Sequence, residues 1–227
     1  MIEANSKAQI RLDFDRAART GLDEAVFCIR KSPAQISAIL EQFQQRGQAC
    51  LLTRLESTKF QQLSPAWQRQ LDYDPLSASA ILGQPPAIRP DPARSVAIVS
   101  GGTSDAPVCA EVARTLAFYG VACQQFQDVG VTGLWRLLER IEEIRQYPIV
   151  IAVAGMEGAI FSVLGGLIDS VLIAVPCSVS YGVGPDGELA LHAALGSCAP
   201  GILSCNIDNG YGAACAALRI LHRFQAG

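Results

Sequence analysis

Residues 148–181, PIVIAVAGMEGAIFSVLGGLIDSVLIAVPCSVSY, hold two apolar, β-branched runs at 149–154 and 171–175 with a Gly- and Ala-rich segment between them. Continuous apolar runs of this length around a short helical segment predict a fully buried parallel βαβ unit. One carboxylate interrupts it. Glu157 falls where the first strand ends and the helix begins, just outside the carboxyl edge of a parallel sheet, where open α/β folds hold their ligands. The competing reading is a carboxylate that only favours the helix dipole. Glu157 and Asp169 also cut the apolar stretch into pieces shorter than the roughly 20 residues of a membrane span, so no transmembrane hairpin is expected.

Outward from this unit the same alternation continues. Strands are expected at 96–100 and 123–128, helices at 107–119 and 132–146, a helix at 187–195, a last strand at 202–207 and a C-terminal helix at 211–224. This pattern implies a doubly wound, flavodoxin-like parallel sheet. Before it, GQPPAIRPDPARS (83–95) holds four of the chain's twelve prolines and reads as a linker. The N-terminal part is a small α+β unit. Its clearest element is a helix capped by Ser32, with Pro33 in its first turn, Ile36, Ile39, Leu40 and Phe43 on one face, and Gly47 after its end. Residues 50–53 read as a strand and 57–63 as a short helix. The expected domains are 1–88, small α+β, and 89–227, α/β.

Composition narrows the function. Half of the 227 residues are apolar, 17% are charged and the net charge is −3, so there is no overall basic surface for nucleic acid. The charged N-terminal residues lack an apolar signal core, so a cytoplasmic protein is expected. Eight cysteines without a C-x-x-C pair, and two histidines in helical patterns, argue for reduced core thiols, against a structural zinc site and against a Ser-His-Asp hydrolase.

Four small-residue loops follow strands: GGTSDAP (101–107), AGMEGA (154–159), PCSVSYG (176–182) and NIDNGYGA (206–213). In a parallel sheet they converge on one edge, where backbone N–H groups and hydroxyls suit an anionic, phosphate-bearing ligand; otherwise they only make tight turns. The candidate binding residues are Gly102, Thr103, Ser104, Asp105, Gly155, Met156, Gly158, Ser178, Tyr181, Gly182, Asn206, Asp208, Asn209 and Gly210. Asp105 and Asp208 bind ribose hydroxyls, ligate a metal or cap their turns. GVGPDG (182–187) matches G-x-G-x-x-G but starts well after its strand and carries Pro185 in the turn, so a dinucleotide fingerprint is rejected. Cys198, in SCAPG between a helix and the last strand, is the cysteine least expected in a regular element; it is either a nucleophile or a structural residue.

Taken together, GGTSDAPV, DVGVTGLWRLL, VAGMEGA, AVPCSVSYG, SCAPG and NIDNGYGA resemble the LarB family, the pyridinium-3,5-biscarboxylic acid mononucleotide synthases of nickel-pincer cofactor biosynthesis. LDFDRAARTG, AVFCIRKSPAQI and LLTR are similar to that family's first domain, and 95–225 resembles the aminoimidazole ribonucleotide carboxylases and mutases. The resemblance implies nicotinic acid adenine dinucleotide and CO2 as substrates, carboxylation at ring position 5, and phosphoanhydride cleavage releasing AMP. It implies Cys198 as nucleophile, Glu157 as base, and a homo-octamer. Magnesium fits phosphate oxygens and Asp carboxylates, here Asp105 or Asp208. Cys177 stands where threonine is expected, Cys205 where valine is expected, and the purine enzymes' histidine has no counterpart. The competing readings are a carboxylase or mutase for another nucleotide and a non-catalytic nucleotide-binding module.

Overall fold

The computed structural model describes residues 10–224, so the first nine residues of the charged N-terminal stretch lie outside it. The chain divides between Pro86 and Ala87 into two compact units.

The first unit runs α1 (Arg16–Thr20), β1 (Val26–Phe27), α2 (Pro33–Arg46), β2 (Cys50–Thr53), α3 (Ser57–Gln61), α4 (Pro65–Gln70), β3 (Leu71–Asp74) and β4 (Ser79–Leu82). Its sheet has the order β1-β2-β4-β3, parallel only between β1 and β2. Helix α2 starts with a reciprocal capping box, Ser32 with Gln35, and stops at Gly47 in the left-handed conformation. Its inward face, Ile36, Ile39, Leu40 and Phe43, packs in one cluster with Leu52, Trp67 and Leu82.

The second unit runs β5 (Val96–Ser100), α5 (Ala106–Phe118), β6 (Cys123–Phe126), α6 (Leu134–Leu138), α7 (Ile141–Ile144), β7 (Ile149–Ala154), α8 (Ala159–Gly165), β8 (Val171–Pro176), α9 (Glu188–Leu195), β9 (Leu203–Ser204) and α10 (Gly210–Phe224). The five strands are parallel in the order β6-β5-β7-β8-β9, the flavodoxin-like arrangement. β7 is buried at every position and β8 at all but Val171. Alternation explains it: Val150 and Ala152 join Ile160, Phe161, Leu164 and Ala190 from α8 and α9, while α5 and α10 pack against the sheet as well. Helices on both faces leave only the strand ends open.

Three elements differ from expectation. The helix expected at 132–146 is a 3₁₀ turn (Val131–Gly133) followed by α6 and α7. The break falls at Arg140, with φ of −108° and ψ of −3°, whose guanidinium sits over Phe126 and pairs with Glu143. Leu137, Ile141 and Ile144 stay buried across it. The strand expected at 202–207 pairs only at Leu203 and Ser204, because the chain turns away after Cys205 and Asp208 donates its N–H to Pro176 O. Within the stretch read as a linker, Arg89 pairs with Val121, so its second half joins the second unit.

Candidate active site

A cleft of about 250 Å³ opens at the carboxyl ends of β5, β6, β7 and β8. Of the residues expected from sequence, Gly102, Ser104, Asp105, Gly155, Met156, Glu157 and Gly158 line it. Thr103 lies in the same 3₁₀ turn as Ser104 and Asp105 and is exposed. Gly130, Val131 and Thr132, within DVGVTGLWRLL, form a further wall outside the four loops expected from sequence.

The walls meet where no side chain fits. A Cβ on Gly155 would stand 2.2 Å from Val179 O, and one on Gly130 would stand 2.5 Å from Gly101 O. The loops after neighbouring strands therefore touch through backbone, at positions only glycine can hold. Met156, with φ of 52°, precedes Gly158, with φ of 68°, at the start of α8. A non-glycine residue in the left-handed region is strained, and such strain is retained where the surroundings enforce it. This turn leaves Glu157 exposed on the cleft wall rather than folded into the helix.

Asp105 is 3% exposed, and its Oδ2 accepts the Gly102 N–H at 2.8 Å. Burial pushes its carboxyl above the usual range, opposed by that hydrogen bond and by one from the Cys177 thiol. Burial likewise raises the Cys177 thiol strongly, with the Asp105 and Asp208 charges adding to it.

The remaining loops hold one another. Asp208 Oδ1 accepts the Ser178 N–H at 2.8 Å, joining the segments after β8 and β9. Asn209 Oδ1 accepts the Gly212 N–H at 2.8 Å and caps α10, whose first residue Gly210 is buried; the Tyr211 N–H goes to Glu111 Oε2 at 3.1 Å. Asn206 Oδ1 accepts the N–H of Ile207. Tyr181 is 80% exposed, and Gly182, with φ of 77°, completes a loop closed by Ser180 Oγ donating to Gly184 O. Thus Ser178, Tyr181, Gly182, Asn206, Asp208, Asn209 and Gly210 surround the same sheet edge without lining the cleft.

Cys198 is exposed and also lies outside the cleft lining. Its loop is nevertheless fixed to α8: Ser197 Oγ meets Ser162 Oγ at 2.7 Å, and a Cβ on Gly165 would stand 2.8 Å from the Ala199 Cβ. Ser162 is four residues beyond Gly158, a rise of about 6 Å along the helix.

Asp105 and Asp208, the two carboxylates offered to magnesium by the sequence, each already receive a backbone N–H. Among the described residues no group of three or more His, Cys, Asp and Glu side chains is gathered to hold a metal ion. No helix of the described residues is long and apolar enough to cross a membrane.

Comparison with known proteins follows the two units. Residues 5–84 match the LarB/PurE-like N-terminal domain, and residues 95–226 match AIR carboxylase. The uncharacterized protein MJ0165 of Methanocaldococcus jannaschii is 33% identical over 211 residues, covering 90% of this chain and 81% of that protein.

Proposed function

Because the chain belongs to the AIR carboxylase family, in the LarB branch marked by its first domain, we propose that it carboxylates nicotinic acid adenine dinucleotide at position 5 with CO2 and hydrolyses its phosphoanhydride with one water. The products are pyridinium-3,5-biscarboxylic acid mononucleotide and AMP. The two matched domains support a carboxylase-type enzyme with a nucleotide substrate; the particular dinucleotide is our reading. The observation that carries it is the placement of Glu157 at the cleft end of α8 and of the Cys198 loop on the same helix through Ser162 and Ser197.

A pyridinium ring is too electron-poor to attack CO2. Addition of the Cys198 thiolate at position 4 forms a C–S bond and moves an electron pair onto the ring nitrogen, giving a dihydropyridine whose position 5 is an enamine carbon. That carbon bonds to CO2. The Glu157 carboxylate then takes the proton from position 5, and departure of the thiolate from position 4 restores the aromatic pyridinium. The small-residue cleft wall from Gly101 to Asp105 and from Ala154 to Gly158 leaves room for such a substrate.

Incubation with nicotinic acid adenine dinucleotide and bicarbonate, followed by mass spectrometry, tests the reading. AMP and a dicarboxylated mononucleotide are expected. Bound but unchanged dinucleotide points instead to a binding module, and no interaction points to a carboxylase for another nucleotide. The proposed assembly is a homo-octamer in the cytoplasm; the exposed Trp135, Leu138, Tyr181 and Leu195 are apolar surface available to other copies. A monomeric mass by light scattering at micromolar concentration would remove the octamer.

A further inference from the structure

Among the described residues lining the cleft there is no lysine, arginine or histidine, and its ionisable side chains are Asp105 and Glu157, both acids. An anionic nucleotide therefore meets two carboxylates there. Phosphates are ordinarily held by a cation.

Arg136 is placed to be that cation. The wall formed by Gly130, Val131 and Thr132 lies between Asp128 and Arg136 in the chain, and those two residues close on each other: Arg136 Nη1 donates to Asp128 Oδ2 at 2.7 Å. The guanidinium lies back over the wall's end, where a Cβ on Gly133 would stand 2.8 Å from Arg136 Nε and 3.2 Å from Nη2. Asp128 is itself held, with φ of 56° and its N–H directed to Ser100 Oγ at 3.3 Å. The pair is partly open, at 33% exposure for Arg136 and 49% for Asp128. One of the roughly five N–H donors of the guanidinium is committed to Asp128, leaving others for an incoming oxyanion.

We propose that Arg136, held in place by Asp128, is the cation that takes the phosphate of the nucleotide entering this cleft. Preformed pairing lowers the entropy lost when the long side chain is fixed on a ligand, and the planar fork suits phosphate oxygens better than a lysine ammonium. Asp128 is a positioning residue, acting through Arg136. The inference rests on a nucleotide binding in this cleft and deepens the reaction proposed above.

Calorimetric binding to the full chain tests it without requiring turnover. Three probes separate the anionic groups: nicotinic acid mononucleotide has phosphate and carboxylate, nicotinamide mononucleotide has phosphate only, and nicotinic acid riboside has carboxylate only. Arg136→Gln is expected to weaken both mononucleotides by about tenfold or more and to leave the riboside unchanged. Arg136→Lys is expected to recover only part of the loss, and Asp128→Asn to weaken the mononucleotides less than Arg136→Gln does. Thermal melts establish that each variant is folded. Equal weakening of all three probes, or loss confined to the two carboxylated ones, overturns the assignment, as does a folded Arg136→Gln chain with unchanged mononucleotide affinity. A parent chain that binds mononucleotides through Arg136 but forms no carboxylated product leaves this inference standing and removes the proposed reaction. Turnover unaffected by Arg136→Gln, with unchanged mononucleotide affinity, does the reverse.

Discussion

The hydroxyls of Ser162 and Ser197 lie 2.7 Å apart, and this contact ties the loop carrying Cys198 to the helix that begins beside Glu157. Ser197 Oγ also accepts the Ala199 N–H at 3.1 Å, so one hydroxyl orders the backbone on both sides of Cys198. Ser162→Ala removes the anchor without touching either reacting group. The expected outcome is a stability loss of about 0.5–1.5 kcal/mol and a fall in carboxylated product well beyond what that loss explains. Denaturant melts and product analysis at equal folded fraction check it; unchanged turnover would separate the Ser162 contact from the reaction.

Glu157→Gln keeps the size and hydrogen bonding of the side chain but cannot accept the proton from position 5. Dinucleotide binding should survive, while carboxylated product falls by about a hundredfold or more. Exposure of Glu157 on the cleft wall means the substitution leaves no buried group unpartnered. Turnover at the parent rate removes Glu157 from the mechanism.

How much of this was readable in the chain follows from which interactions are local. The uninterrupted apolar runs of β7 and β8, and the Ser32, Pro33 and Gly47 boundaries of α2, carry their meaning within a few residues. Strand β4 was not readable. Its preceding turn is built by Asp74 accepting the N–H groups of Leu76 and Ser77, and by Ala78 at a φ of 47°, with no glycine or asparagine to mark it. The wall at Gly130 was missed for a different reason: its place at the cleft comes from backbone contact with Gly101, far away in sequence. Likewise, the anchoring of the SCAPG loop to α8 through Ser162 and Ser197 joins residues 35 apart and has no local signal.

Asp105 should give stability a pH dependence opposite in sign to that of an ordinary surface carboxylate. Its folded-state value lies above 3.8, so the folded chain binds this proton more tightly than the unfolded chain does. The resulting contribution is fully present below about pH 3.8 and is lost as pH rises through the folded value. Asp105→Asn keeps an acceptor for the Gly102 N–H and has no charge to bury. Relative to the parent, the Asp105→Asn chain should therefore gain stability between about pH 4 and pH 7. Urea midpoints for both chains across that range measure it, and a gap that stays constant or moves the other way contradicts the assignment.

Cys198 is, among the described residues, the one exposed cysteine; Cys177 is fully buried and Cys205 is partly buried, with burial raising both of those thiols. If Cys198 adds at position 4 of the pyridinium, NAD should be attacked as well, since its ring differs only in bearing a carboxamide in place of the carboxylate. Without onward carboxylation the adduct should accumulate as a dihydropyridine, giving near-ultraviolet absorption that neither protein nor NAD has alone. Cys198→Ser should abolish the signal, because a serine hydroxyl without an adjacent base is a poor nucleophile. Cys177→Ser and Cys205→Ser should leave it intact: the Cys177 thiol is directed to the Asp105 carboxylate inside the fold, and Cys205 lies just past the edge strand β9, its N–H bonded to Ala174 O. A signal lost in Cys205→Ser and kept in Cys198→Ser would assign the addition to the wrong side of β9, leaving the SCAPG loop as a packing element against Gly165.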